Sequence, residues 1–384
     1  MSVIDLHERI ERLEQLAVTT FRERALRDEE EGRFPVENLR DIHELGLLHV
    51  AAEPENGGYG GHLLGERPEL FLDILRRIAR GDGATAHCYQ LHNHTLWTLE
   101  GVGTPEQKER FVRKLTRGFA VSASVGSEPG RVNMYEMKTR ARRVDGGWVV
   151  NGVKNFVTNG EFSDVVIVVV AVEGVDNPLD AHMMVILEPD MPGQTWDDGW
   201  YQPNGMRNAR SPLLTLKDVF VPDSHVLGAP GTYPRQRWQG RFHLGFAANY
   251  LGSAEGLFDW YLEYAKSRGR TSNPLVQLRT GEMRMQLDAA AALFDRAVRS
   301  WKNGKVVDAE LISMSAKSTA AHAALNVARG VLFAAGASAQ FQEHPFGYFV
   351  RNIEMHCVHA GHDRTAQIIG QAALGEQFDS TLQR

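Results

Sequence analysis

Histidine is the side chain that exchanges a proton near neutral pH, and two short runs concentrate it here. The first is Arg351-Asn352-Ile353-Glu354-Met355-His356-Cys357-Val358-His359, with His362 just beyond. The second is His92-Asn93-His94-Thr95-Leu96-Trp97. On a helix, His356 and His359 share one face. That spacing also suits a metal, but no third ligand stands near in a recognisable motif, so no metal is expected. Cys357 between them reads as packing rather than as a nucleophile. A third stretch, Asn151-Gly152-Val153-Lys154-Asn155-Phe156-Val157-Thr158, places an aromatic ring two residues before a hydroxyl. By themselves these are ordinary strand residues. No glycine-rich phosphate fingerprint follows a strand, and no nucleophile elbow is present.

These residues need elements to hold them. The chain has 384 residues, 43% of them hydrophobic, which is enough for two or three domains. Val3, Leu6, Ile10, Leu13 and Ala17 recur at helical spacing, and Phe34-Pro35, Arg67–Arg80 and Ala84–Glu100 read as further helices. Thr104-Pro105-Glu106 is a helix start. From about residue 118 the chain turns β-rich. Val165–Val172 is an unbroken apolar run that predicts a strand buried on both faces. From Gln239 four long helical stretches follow (242–267, 274–301, 308–335 and 348–374), which suit an antiparallel bundle. The expected domains are 1–117, 118–228 and 229–384: helical, β and four-helix bundle. The net charge of −6 with scattered charges argues against nucleic acid. No apolar run reaches membrane length. The two cysteines, Cys88 and Cys357, and a charged N-terminal helix point to the cytoplasm.

This α–β–α order, together with local motifs, resembles the acyl-CoA dehydrogenase superfamily from about residue 10 to 375. The motifs are Glu44-Leu45-Gly46-Leu47-Leu48 before the Gly57–Gly61 turn, Gly103–Lys108, Ser127-Glu128-Pro129-Gly130, the Asn151–Gly160 run and Val219-Phe220-Val221-Pro222. The resemblance implies an α+β fold of three domains and a flavin site. Phe156 would form the wall of the isoalloxazine and the Thr158 hydroxyl would reach its N5. Ser124 and Ser127 would lie on the flavin strand.

The departures are as informative. A dehydrogenase of this family removes a proton next to a thioester and needs a carboxylate. The matching position is Ala360, and the alternative position on the first bundle helix is Phe242. The residues after Gly130 and after Arg268-Gly269-Arg270 also leave the family pattern, which disfavours CoA and the adenine half of FAD. The Arg351-Asn352…His356-x-x-His359 run, His94-Thr95-Leu96-Trp97 and Leu332–Ala339 are instead similar to the flavin monooxygenase branch, the dibenzothiophene sulfur monooxygenases in particular. That branch implies a two-component enzyme. Reduced FMN, supplied by a flavin reductase, would meet O₂, and a C4a-hydroperoxide would pass oxygen to a small organosulfur or aromatic substrate. His94, His356 and His359 would steer or protonate the peroxide, with Thr158 at N5. Arg268 and Arg351 would hold the flavin tail, across a subunit interface if need be. A homotetramer is expected. FAD is the alternative cofactor, and a dehydrogenase or flavin oxidase with a relocated base is the alternative reaction. A binding protein on a disused dehydrogenase fold is the third reading.

Overall fold

The computed structural model describes residues 3–130, 135–359 and 361–380. Helices α1 (Val3–Leu16), α2 (Arg22–Glu31), α3 (Val36–Glu44), α4 (Leu70–Ala79) and α5 (Gly83–Val102) open the chain. Thr104 caps the next turn in a reciprocal capping box with Gln107, as the Thr-Pro-Glu run predicts. The site depends most on α5, which is buried along nearly its whole length. Asp82 fixes where α5 begins. Its carboxylate accepts from the Ala84 N–H at 2.9 Å, from Asn208 Nδ2 at 3.3 Å and from the Tyr348 hydroxyl. One side chain thereby ties the helix start to two distant segments and sets which face of α5 points inward.

Strands β1 (Ser122–Val125), β2 (Arg140–Val144), β3 (Gly147–Lys154), β4 (Val165–Val172), β5 (His182–Leu187), β6 (Gln194–Asp197), β7 (Leu213–Pro222) and β8 (Val226–Leu227) form one sheet. Its order is β6-β7-β3-β2-β4-β5-β8, and β1 also pairs with β4, in parallel. The valine run becomes β4, buried on both faces as expected. Val165, Ile167 and Val169 pack with Leu96, Leu99 and Phe111 of the helical part. Val166, Val168 and Val170 face the core enclosed by the sheet itself. Alternate residues of one strand thus feed two cores.

The end of β3 carries the aromatic-hydroxyl run, and two devices fix it. Gly152, at φ +154°, sits at a register shift against β7. A Cβ there would come within 2.6 Å of the Thr139 backbone. Lys154 is fully buried, and its Nζ meets Glu128 Oε1 at 2.5 Å. Burial alone would raise the Glu128 pKa, but Lys154 and the Thr139 and Lys138 N–H groups outweigh it and hold it below the usual range. The pair fastens Glu128, and through it the Lys138 and Thr139 backbone, to the strand end, two residues before Phe156.

Helices α6 (His243–Ser267), α7 (Pro274–Asn303), α8 (Val306–Ala335), α9 (Phe346–Cys357) and α10 (His362–Leu374) close the chain. The fourth stretch of the expected bundle is not one helix. It breaks between Cys357 and His362, with Gly361 at φ +29°. His359 therefore lies in a bend just past α9, not on a shared helix face with His356. Sequence periodicity does not see this break, because 358–361 carries no proline and only one glycine. Among the described residues, no helix is long and apolar enough to cross a membrane.

Candidate active site

His87, Gln90 and His94 stand at i, i+3 and i+7 of α5 and share its inward face. His87 is the centre of the arrangement. Its Nε2 lies 3.2 Å from Thr158 Oγ1, and Thr158 Oγ1 lies 2.9 Å from Ser211 Oγ. The His87 ring meets the edge of His356 at 4.8 Å and of His359 at 6.3 Å. His359 stacks on Phe246 of α6 at 4.4 Å and 18°, and His356 sits edge-on to Tyr250 at 4.9 Å. Four segments thus converge: α5, the run after β3, α6 and the end of α9.

Thr158, His356 and His359, all proposed from sequence, are brought together here. His94 is one shell further along α5. Its ring stacks on Phe242 at 4.3 Å and reaches Phe246 only at 6.4 Å. Beyond it Trp97, Trp238 and Phe242 form an aromatic roof, with ring centroids 5.6–6.1 Å apart. His92, in the same run, faces away. The Ser122 N–H can only donate, so His92 Nδ1 accepts it at 3.1 Å. The proton is then on His92 Nε2, which donates to His49 Nδ1 at 2.9 Å, and His49 Nε2 donates to the Gly118 carbonyl at 3.2 Å. This chain is structural. Cys357 is buried, and burial pushes its thiol well above the usual value, in line with a packing role.

Phe156 and Arg351 line a separate, open cleft of about 510 Å³ with Trp200, Met355 and Val358. Phe156 adopts a left-handed conformation (φ +55°) and leaves 45% of its surface exposed, edge-on to Trp200 at 5.0 Å. A β-branched neighbour follows it inward, so the run turns from the cleft at 156 to the histidine cluster at 158. Arg351 reaches Glu29 at 3.2 Å. Ser124 is half-buried on β1, and the Ser127 carbonyl accepts from the Asn155 N–H at 3.2 Å. Arg268 does not line this cleft. It is exposed just past α6, about 33 Å from Phe246 at roughly 1.5 Å rise per residue. Residues 131–134 and Ala360 lie outside the described residues.

Burial governs the electrostatics. It pushes His87 down to about 4 and His94 to about 3, with His87 adding to the shift of His94. His356 and His243 are held well below the usual value, first by burial and then by neighbours that include Lys317. Lys317 of α8 is itself buried, its Nζ 5.2 Å over the Phe246 ring. Burial therefore favours the neutral imidazole at His87, His94, His243 and His356, with the Lys317 side chain beside them. His87 and Lys317 escape sequence reading. The face shared by His87, Gln90 and His94 is the signal that would have found the first. Phe242, one of the positions where a carboxylate would serve a dehydrogenase, instead carries the ring that stacks on His94.

Family models of acyl-CoA dehydrogenases match in order: the N-terminal domain over residues 7–119, the middle domain over 123–219 and the C-terminal domain over 244–364. The chain belongs to the acyl-CoA dehydrogenase family. It is a flavin-dependent oxidoreductase by that membership. Within the family it is 27% identical over 368 residues to dibenzothiophene monooxygenase of Rhodococcus erythropolis, covering 88% of this chain and 86% of the other. It is 28% identical over 346 residues to the mitochondrial 2-methylacyl-CoA dehydrogenase of Solanum tuberosum, covering 88% and 82%. Among solved structures of this acyl-CoA dehydrogenase fold, FMN-bound TdsC from Paenibacillus sp. A11-2 superposes with a TM-score of 0.88 at 23% identity, over 98% of this chain and 99% of that one. Butyryl-CoA dehydrogenase from Megasphaera elsdenii superposes at 0.86 and 21%, over 97% and 99%.

Proposed function

We propose that this chain is the oxygenase component of a two-component flavin monooxygenase. It takes reduced FMN from a separate reductase and uses O₂ to oxygenate a small organic substrate, organosulfur or aromatic. The observation that carries this reading is the convergence of His87, His356 and His359 on Thr158 and Phe246. These are proton-handling groups in a buried, aromatic setting. A dehydrogenase needs a carboxylate there. Glu310, a buried carboxylate of α8, is bound by Arg237 and the Ser380 hydroxyl.

The residues present fit a flavin. Phe156 offers an exposed aromatic face, Thr158 a hydroxyl just inside it, and Arg351 a cation on the same cleft. Bound reduced FMN with O₂ supplies the oxygen atom that is transferred. The protein does the rest. His87 holds a proton on one ring nitrogen and exchanges it along the Thr158–Ser211 chain. His359 and His356 flank the same point, and His94 lines the approach. The roof of Trp97, Trp238 and Phe242 excludes water, which would otherwise divert the reaction to H₂O₂. Ser124 on β1 and Ser127 just beyond it would help hold the flavin. Arg268 serves only through assembly into the proposed homotetramer. The exposed Leu275, Leu278 and Met285 of α7 and Phe333 of α8 give that end of the bundle an apolar surface. The buried free thiols of Cys88 and Cys357 suit a cytoplasmic setting.

Phe156→Ala is expected to weaken FMN binding about fivefold or more, read by fluorescence titration, because a stacked aromatic face is worth about 1 kcal/mol beyond its area. Unchanged affinity would remove Phe156 from the flavin site. The reaction itself is tested with butyryl-CoA added anaerobically to the flavin-loaded protein. The flavin spectrum should stay oxidised. Bleaching by the thioester would replace this reading with a dehydrogenase.

A further inference from the structure

The Thr158 hydroxyl belongs to a chain of side chains whose far end has a fixed direction. The anchor is the Met206 carbonyl, which can only accept. The Tyr201 hydroxyl donates to it at 2.9 Å. The carbonyl is itself held in place. The Met206 N–H donates to Asn352 Oδ1 at 2.6 Å, and Met206 stands at φ +60°. A Cβ at the preceding Gly205 would come 2.2 Å from the Arg351 carbonyl oxygen, so this turn lies tight against α9.

With its own proton committed to Met206, the Tyr201 oxygen accepts from Ser211. Burial pushes the Tyr201 hydroxyl above the ordinary tyrosine value, and the hydrogen bond from Ser211 works against it. Ser211 Oγ then has no proton left for Thr158 and accepts from Thr158 Oγ1, 2.9 Å away. Thr158 in turn accepts from His87 Nε2 at 3.2 Å. Each hydroxyl carries one proton, so one fixed end orders the whole chain. A second observation agrees. His87 Nδ1 is buried and has no hydrogen-bond partner among the described residues. Protonated there, His87 would bury an orphaned N–H. Unprotonated, it leaves only a lone pair unused, the less costly of the two.

We propose that Tyr201 and Ser211 are positioning residues that hold His87 as the tautomer protonated on Nε2. Nε2 is then the nitrogen whose proton points to Thr158, and Nδ1 carries the lone pair that can accept another. No ligand is needed for this, since every member of the chain already touches the next. Tyr201 also lines the cleft of Phe156 and Arg351, so it joins that open cleft to the buried histidines. What the proton serves rests on the monooxygenase reading; the tautomer does not.

The test is the solid-state nitrogen-15 spectrum of the histidine-labelled full chain at neutral pH, without ligand. The His87 signals are those lost in His87→Gln. The wild type should show Nε2 as an N–H and Nδ1 as a bare nitrogen, with this tautomer favoured by about tenfold or more. Ser211→Ala and Tyr201→Phe should each lower that ratio about fivefold, the worth of one hydrogen bond. A merely structural role for either residue would leave the ratio unmoved. A majority of Nδ1–H in the wild type, a result that needs no variant to fold, would overturn the proposal. So would an unchanged ratio in either variant. The expected tautomer in a protein that transfers no oxygen would count against the monooxygenase reading and leave the proposal standing. The opposite tautomer in an active oxygenase would do the reverse.

Discussion

Replacing His87 by alanine is expected to lower oxygen transfer to a substrate by a hundredfold or more while FMN affinity stays within threefold. Proton transfer by a positioned side chain contributes about 10²–10⁴-fold to such steps. His87 is the imidazole with a direct hydrogen bond to Thr158, at 3.2 Å, and its other nitrogen is buried with no hydrogen-bond partner among the described residues. Burial keeps it neutral at pH 7, so it can both give and take a proton. It lies away from the Phe156–Arg351 cleft, so flavin binding should survive its loss. The reducing equivalents not used on substrate should appear as H₂O₂. His87→Gln separates chemistry from packing, because glutamine can hydrogen-bond Thr158 but cannot shuttle the proton. Both variants should be uncoupled. His359→Ala should shift the reaction toward H₂O₂ in the same direction. Coupling unchanged in His87→Gln would assign His87 a structural role.

The second large effect is acid unfolding. His49 and His87 are pushed down to about 4 and His94 to about 3, each chiefly by burial. An unfolded histidine titrates near 6.5. Between these values the unfolded chain binds more protons than the folded one, so stability falls as pH falls. At pH 5 each of the three costs about 2 kcal/mol, about 6 together. His92, His243 and His356 are shifted in the same direction and add to this. Glu29 works against it. Burial raises its pKa to about 7, so its protonation as pH falls to 5 returns about 2 kcal/mol. Domain stabilities are only about 5–15 kcal/mol. Cooperative unfolding, followed by circular dichroism, is therefore expected between about pH 6 and 4. A protein still folded at pH 3 would show that the histidines are not buried as described.

Much of the fold was legible because its strongest signals are long and local. The valine run could only be a doubly buried strand, and the Thr104 cap formed as its residues demand. The β3 motif led to Phe156 and Thr158, and the C-terminal run led to His356 and His359. What stayed hidden is tertiary. α5 is buried on every side, so no polar stripe tells which of His87, His92 and His94 faces the site. The sequence run drew attention to His92–Trp97, whereas the rotation set at Asp82 turns His87 toward Thr158 and His92 toward His49. The bend after Cys357 carries too weak a breaker to be read from composition. Arg268 was placed by motif position alone, and the length of α6 separates it from Phe246 and the histidine cluster.

The most direct measurement is rapid mixing of the protein, loaded with reduced FMN, against oxygenated buffer. An oxygenase site that shelters the reacting flavin should give a transient absorbance distinct from both reduced and oxidised FMN, outlasting the oxidation of free reduced FMN by at least tenfold. It should shorten in His87→Ala. Direct passage from reduced to oxidised FMN, at the rate seen without protein, would contradict the proposed function.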